Sequence, residues 1–239
     1  MSKSILVFGG NGFVGSAICK YAASLNLNII SISRSGKPHT PAPWQSSITF
    51  IQGDALTPST YTHLLPSVTG IVHSVGVLFD SNFPSTSTKV YNGSYRQMNR
   101  DSAITIIDEI KDKNIHFTYL SSERGIFFAP EYINTKREVE AYLESVKNQV
   151  GFSVVRPGFM YNDQIRGKKI ASKGIDLLNL PDKVFENLGL DWVRHNFIPA
   201  RSLDVNIVGK VVIQTQLHPE FKNSTLNVDE IESIGRKYQ

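Results

Sequence analysis

The 239-residue sequence predicts an α/β protein, a doubly wound parallel sheet with a small, mainly helical C-terminal cap. Three observations carry that prediction. Short apolar runs alternate with helical patterns from Ser4 to about Gly158, the first run ends in a glycine-rich turn that opens a helix, and the alternation is lost from Asp163 onward. Strands that alternate with helices are joined by crossovers, and crossovers give parallel strands covered on both faces.

The elements follow in order. Ser4 to Phe8 is a short apolar strand, and after Gly9-Gly10-Asn11-Gly12-Phe13-Val14-Gly15 the residues Ala17, Ile18, Tyr21, Ala22 and Leu25 recur at helical spacing. Asn26-Leu27-Asn28 ends that helix, and Ile29 to Ile32 forms a second strand, completing a βαβ unit. Further strands are expected at Ile48 to Ile51, Gly70 to His73, Phe117 to Leu120 and Phe152 to Val155. Ser81 to Gly93, rich in Ser, Thr, Pro and Asn, reads as a long surface loop. From Asp163 to Phe197, Arg166, Lys168, Lys169 and Lys173 precede an apolar set that includes Ile175, Leu178, Phe185, Leu188 and Trp192. This stretch reads as a helical lid or as a basic, amphipathic membrane-surface segment. Leu203 to Leu217 resembles another amphipathic helix, and the polar tail holds one strand candidate at Thr225 to Val228. The organisation is therefore a dinucleotide-binding unit over residues 1–162 and a cap over 163–239 that returns to the core as part of a single structural unit.

Composition narrows the function classes. With 41% hydrophobic and 19% charged residues the chain is neither disordered, collagen-like nor a coiled coil. A single cysteine, Cys19, excludes a disulfide scaffold and multi-cysteine zinc sites and favours a reducing compartment. No apolar run approaches the roughly 18 residues needed to span a bilayer, and the first strand leaves no room for a cleavable leader. The net charge of +4 selects no partner by itself, and no nucleic-acid motif accompanies it. No ligand spacing suggests a metal; His73 and His116 sit beside apolar strands and read as core histidines.

The glycine turn carries the strongest chemistry. Gly9, Gly12 and Gly15, directly after a strand and at the start of a helix, allow a tight turn, close backbone approach to a pyrophosphate and close helix packing. At the end of the second strand an NAD site usually places a carboxylate on the ribose 2′-hydroxyl, and this chain has Ser33, Arg34 and Ser35 instead, with Lys37 nearby. That favours NADP(H) over NAD, a solvated basic loop being the plain alternative. Asp54, in Gly53-Asp54-Ala55, is a candidate acceptor for the adenine amino group or an ordinary turn residue.

Tyr132 and Lys136 are spaced i, i+4 on a predicted helix, so they share a face. In hydride chemistry at a carbonyl, a tyrosine exchanges the proton with the alcohol oxygen when a nearby ammonium lowers its pKa. Ser121 or Ser122 would orient the substrate oxygen, and Asn99 would support a lysine-linked water.

Taken together, Gly9 to Gly15, Gly53-Asp54, His73-Ser74-Val75-Gly76, Tyr95 to Asn99, Leu120-Ser121-Ser122, Tyr132 to Lys136 and Arg156-Pro157-Gly158 resemble the extended and atypical short-chain dehydrogenase/reductase superfamily. The phrases SISRSGK, YINTKRE and VRPGFM are similar to fungal atypical members associated with mitochondrial coenzyme Q biosynthesis. The resemblance implies a Rossmann-like fold with NADP(H) along the strand ends. It implies cofactor contacts from Phe13, Val14, Ala55, His73, Ser74, Val75 and Pro157, and from Tyr132 and Lys136, beside those already named. It further implies coenzyme Q biosynthesis proteins as partners, with peripheral contact at the matrix face of the inner mitochondrial membrane; a cytoplasmic location is the alternative. Only nine residues separate Ser122 from Tyr132, a departure from the usual pattern. Two functions stay open: an NADP-dependent oxidoreductase acting on a hydrophobic, quinone-like substrate, and a catalytically silent NADP(H)-binding subunit of a biosynthetic complex.

Overall fold

A computed structural model describes residues 4–38, 40–76, 96–124, 130–162 and 200–238. The Ser81 to Gly93 loop, Phe127 and Phe128, and the basic and apolar stretch between Asp163 and Phe197 lie outside these residues.

Seven parallel strands form the central sheet. They are β1 (Ser4–Phe8), β2 (Ile29–Ser33), β3 (Ile48–Gln52), β4 (Val68–His73), β5 (His116–Leu120), β6 (Phe152–Val155) and β9 (Ser224–Leu226), in the order β3-β2-β1-β4-β5-β6-β9. A short parallel pair, β7 (Met160–Tyr161) with β8 (Leu203–Asp204), lies apart from it. Alternation at period 2 divides the strand side chains between two cores. Ile5 and Val7 join one cluster with α1 (Phe13–Ser24), α4 (Val205–Leu217) and α5 (Val228–Lys237), while Leu6 and Phe8 join the other with α2 (Ser102–Ile110) and α3 (Pro130–Ser145). Both faces of the central strands are therefore covered, which is why β1, β4 and β6 read as nearly continuous apolar runs, while the edge strand β3 is partly exposed.

The C-terminal region differs from the sequence expectation in two places. The helix expected over Leu203 to Leu217 yields its first two residues to β8 and begins at Val205, where the Asp204 carboxylate accepts from the Asn206 amide at 2.7 Å. The tail, read as polar with one strand, carries β9 and then the ten-residue helix α5. Asn227 caps that helix, accepting from the amides of Asp229 and Glu230, and Glu230 reaches back to the Asn227 amide at 2.8 Å. β9 pairs with β6 as the seventh strand, so the described part of the cap region is built into the main sheet and its core.

Candidate dinucleotide and catalytic site

Strand order reverses between β1 and β4, the topological switch point at which open α/β sheets place a ligand crevice beyond the C-terminal ends of the strands. The glycine turn lies at this point. Gly9 adopts φ +83°, donates to the Ile32 carbonyl at 2.8 Å and accepts from the Gly12 amide at 2.8 Å. A Cβ on Gly15 would fall 2.1 Å from the Gly9 carbonyl oxygen, so only glycine lets α1 start this close to the turn. α1 begins after Gly12 with no side-chain cap and no acidic residue in its first turn. Its positive end therefore has no anion of its own among the described residues of the turn, which suits a diphosphate. Phe13 is exposed and Val14 buried at this helix start.

The loop after β2 is tied to the turn. Asn11 donates through Nδ2 to Ser33 Oγ at 2.7 Å, to the Gly36 carbonyl at 2.8 Å and to Ser35 Oγ at 3.1 Å. Arg34 is exposed, with its carbonyl accepting from Gln52 at 3.0 Å. Asp54 spends one carboxylate oxygen on the Leu56 amide at 2.9 Å, as a turn residue does, while Ala55 is buried beneath the adjoining loop. Ser74 donates from both amide and hydroxyl to the Phe8 carbonyl, at 3.0 and 2.7 Å, fastening the β4 exit beside Gly9; Val75 follows, partly buried.

On the other side of the crevice, α3 carries Tyr132, half-buried, and one turn later Lys136, buried. Lys136 donates to the Leu120 carbonyl at 2.7 Å and lies 4.9 Å from the centre of the Tyr119 ring. Burial lowers its pKa to about 7, opposed by the nearby Glu140. Asn99 is buried in the π-helical turn Arg96–Asp101 ahead of α2, and its carbonyl accepts from the Tyr119 hydroxyl at 2.7 Å. A Cβ on Gly76 would lie 2.7 Å from Asn99 Oδ1 and 3.5 Å from Lys136 Nζ, so the amide and the ammonium converge at the β4 exit. Arg96 fixes this arrangement by pairing with both oxygens of Glu138 on α3 at 3.2 Å.

His73 is fully buried at the end of β4, its Nε2 2.9 Å from Ser102 Oγ and its Nδ1 unpartnered. Burial, reinforced by the Lys136 charge, lowers its pKa to about 3, so it stays neutral behind the strand ends. His116 likewise meets a serine, Ser153, at 2.9 Å. The two serines after β5 both bond within the protein. Ser121 donates to the Glu140 carboxylate and Ser122 donates to the Arg124 carbonyl at 2.9 Å, so each hydroxyl proton is directed at a protein acceptor. Pro157 is buried and accepts from the Glu123 amide at 2.9 Å.

Sequence reasoning passed over a half-buried ion network behind the serines. Glu140 receives two bonds from Arg156, at 2.6 and 3.0 Å, and one from Arg137 at 2.6 Å, while Arg137 also holds the carbonyls of Ser122 and Glu123. Its sequence signal was the i, i+3 spacing of Arg137 and Glu140 on a helix already assigned. Gly10 was passed over too: a Cβ there would lie 2.2 Å from Ser31 Oγ and 3.1 Å from the sulfur of Cys19, a thiol pushed up to about 12 by burial.

The glycine turn, the open helix end and the carboxylate-free loop after β2 fit a pyridine dinucleotide, with Gly9, Gly12 and Gly15 against its diphosphate and Ser33 to Ser35 near its adenosine ribose. The family model described as NAD dependent epimerase/dehydratase matches residues 5–161. The chain belongs to the NAD-dependent epimerase/dehydratase family. Membership in this family supports pyridine-nucleotide binding. The chain is 30% identical to MIOREX complex component 2 of Saccharomyces cerevisiae, an alignment covering 93% of this chain and 96% of that one. Among solved structures, an oxidoreductase of the short-chain dehydrogenase/reductase family from Burkholderia thailandensis superposes with TM-score 0.67 at 13% identity, covering 95% of this chain and 91% of that one. MoeE5, in complex with UDP-glucose and NAD, superposes with TM-score 0.63 at 16% identity, covering 99% and 82% respectively. These two likenesses are of fold.

Proposed function

We propose that this protein is an NADP(H)-dependent oxidoreductase that reduces or oxidises a hydrophobic, quinone-like substrate in mitochondrial ubiquinone biosynthesis. The observation that carries the reading is the convergence of Lys136 and Asn99 at the β4 exit, one helical turn from Tyr132 and across the crevice from the glycine turn. A bound nicotinamide supplies or receives the hydride. Tyr132 delivers the proton to the carbonyl oxygen in the reductive direction, and the Lys136 ammonium, one helical turn along α3, favours the phenolate left behind. Because Lys136 loses its charge as pH rises through about 7, reduction is expected to decline above that value. The preference for NADP(H) is supported by Arg34 and Ser35 standing where a carboxylate would select NAD. The ubiquinone assignment and the matrix-side location rest on the resemblance of the glycine-turn, SISRSGK and YINTKRE phrases, and a relative named as a component of a complex supports work within an assembly.

One observation favours the second reading, a cofactor-binding subunit without turnover. The Ser121 and Ser122 hydroxyls both donate within the protein, which withholds the serine donor from a substrate carbonyl. A single assay separates the two: NADPH oxidation with quinone intermediates, comparing the parent with Tyr132→Phe, alongside NADPH affinity. The enzyme reading expects a loss of about 100-fold or more in kcat with affinity unchanged. Background rates in both proteins with tight NADPH binding would leave the subunit reading standing.

A further inference from the structure

We infer that Asn11 is the residue that sets this site's preference for a 2′-phosphorylated ribose, by bridging the glycine turn to the loop after β2 and leaving that loop's Ser35 hydroxyl outward as a donor. The inference rests on the dinucleotide reading of the crevice and deepens it. Asn11 stands between Gly10 and Gly12, and its amide nitrogen reaches Ser33 Oγ, Gly36 O and Ser35 Oγ at 2.7, 2.8 and 3.1 Å. A carbonyl oxygen only accepts, so the contact with Gly36 fixes which way the amide faces, nitrogen toward the loop. With one N–H on the Gly36 carbonyl, the second is shared between the two serine oxygens, Ser33 being the nearer. Ser33 has the Gly36 carbonyl at 3.1 Å for its own proton, whereas the exposed Ser35 hydroxyl is left to give its proton to a ligand, beside the exposed Arg34. Donors and a guanidinium, with no carboxylate between Ser33 and Lys37, match a phosphate dianion.

The other end of the same side chain strengthens the argument. Asn11 Oδ1 is buried without a hydrogen-bond partner. An unpaired buried carbonyl is a standing cost, and a smaller residue in the turn would avoid it. What only the amide supplies here is the pair of donors aimed at the loop. An aspartate has the same shape and reverses the polarity: it would draw the serine protons inward, oppose the Gly36 carbonyl and repel a 2′-phosphate.

The test uses the full chain and two fragments, 2′,5′-ADP and 5′-AMP, which differ only in the 2′-phosphate, with dissociation constants measured by titration calorimetry. The parent is expected to bind 2′,5′-ADP at least 10-fold tighter. Asn11→Asp is expected to lower that ratio about 30-fold or more with 5′-AMP changed less than about threefold, and Asn11→Ala to lower it less. Thermal melts of the ligand-free proteins establish folding, and Asn11→Ala decides the matter if Asn11→Asp does not fold. A parent that favours 2′,5′-ADP with variants that keep the ratio, or that lose both fragments equally, overturns the role of Asn11 and leaves the NADP(H) reading intact. A parent that binds neither fragment, or favours 5′-AMP, overturns that reading and this inference with it.

Discussion

The two walls of the crevice are held by different forces. The glycine-turn wall is fastened by backbone and neutral groups: Gly9 to Ile32, Gly12 to Gly9, Ser74 to Phe8, and the Asn11 amide to two serines and a carbonyl. The opposite wall is fastened by charged groups, with Lys136 buried on Tyr119 and the nearly buried Glu140 held between the half-buried Arg137 and Arg156. Neutral bonds near a surface are cheap to make and cheap to lose, whereas a buried charge is costly when its partner goes. The first wall is therefore suited to accept a ligand's charge, and the second to hold a reactive group at a fixed place.

The largest expected effect follows from breaking the charged wall. Glu140→Ala would strand two guanidinium groups against each other and release the Ser122 and Glu123 carbonyls that Arg137 holds. The expected loss is about 3 kcal/mol, the low end for a buried pair because both guanidinium groups stay about a third exposed, read as a midpoint shift in urea unfolding. A loss below about 1 kcal/mol would rank this network with exposed ion pairs and erase the contrast between the walls.

Next in size is a pH effect at Lys136. Its pKa is lowered in the fold from 10.5 to about 7, so between those values the unfolded chain binds a proton that the folded chain does not. Stability from this group is therefore present above pH 10.5 and is lost as pH falls toward 7. Between pH 9.5 and pH 7 the loss is about 3 kcal/mol. Lys136→Met abolishes this slope, so the stability difference between parent and variant should move by that amount across the window, favouring the variant as pH falls. Parallel curves for the two proteins would show that Lys136 stays charged and solvated.

The contrast also explains what could be read from the sequence. Glycine spacing, the apolar runs of β1 to β6 and the Tyr132–Lys136 spacing are local rules, and each element lies within a residue or two of its expected place. Membership of β9 in the main sheet was not legible, because Ser224–Leu226 is short and its partner β6 lies about 70 residues away in the chain. α5 was legible in principle, since Asn227 and Glu230 spell a capping box that the polar character of the tail obscured. The serine geometry was not, because it depends on Glu140 and Arg156 meeting across a strand and a helix. The Asn11 bridge spans 22 to 25 residues and joins neutral groups, so neither charge nor periodicity marks it.

The smallest effect tests the neutral wall itself. Ser74→Ala deletes a 2.7 Å hydroxyl bond to the Phe8 carbonyl, but that carbonyl keeps the Ser74 amide at 3.0 Å, so no buried acceptor is left bare. The expected cost is about 0.5–1 kcal/mol, a fall of a few degrees in Tm for a chain of this size. The Gly9 turn should keep its shape, because its own bonds run to Ile32 and Gly12 and not through the serine hydroxyl. A loss comparable to that of Glu140→Ala would mean that this wall too depends on a single side chain, and that the backbone bonds around Gly9 follow the hydroxyl rather than position it.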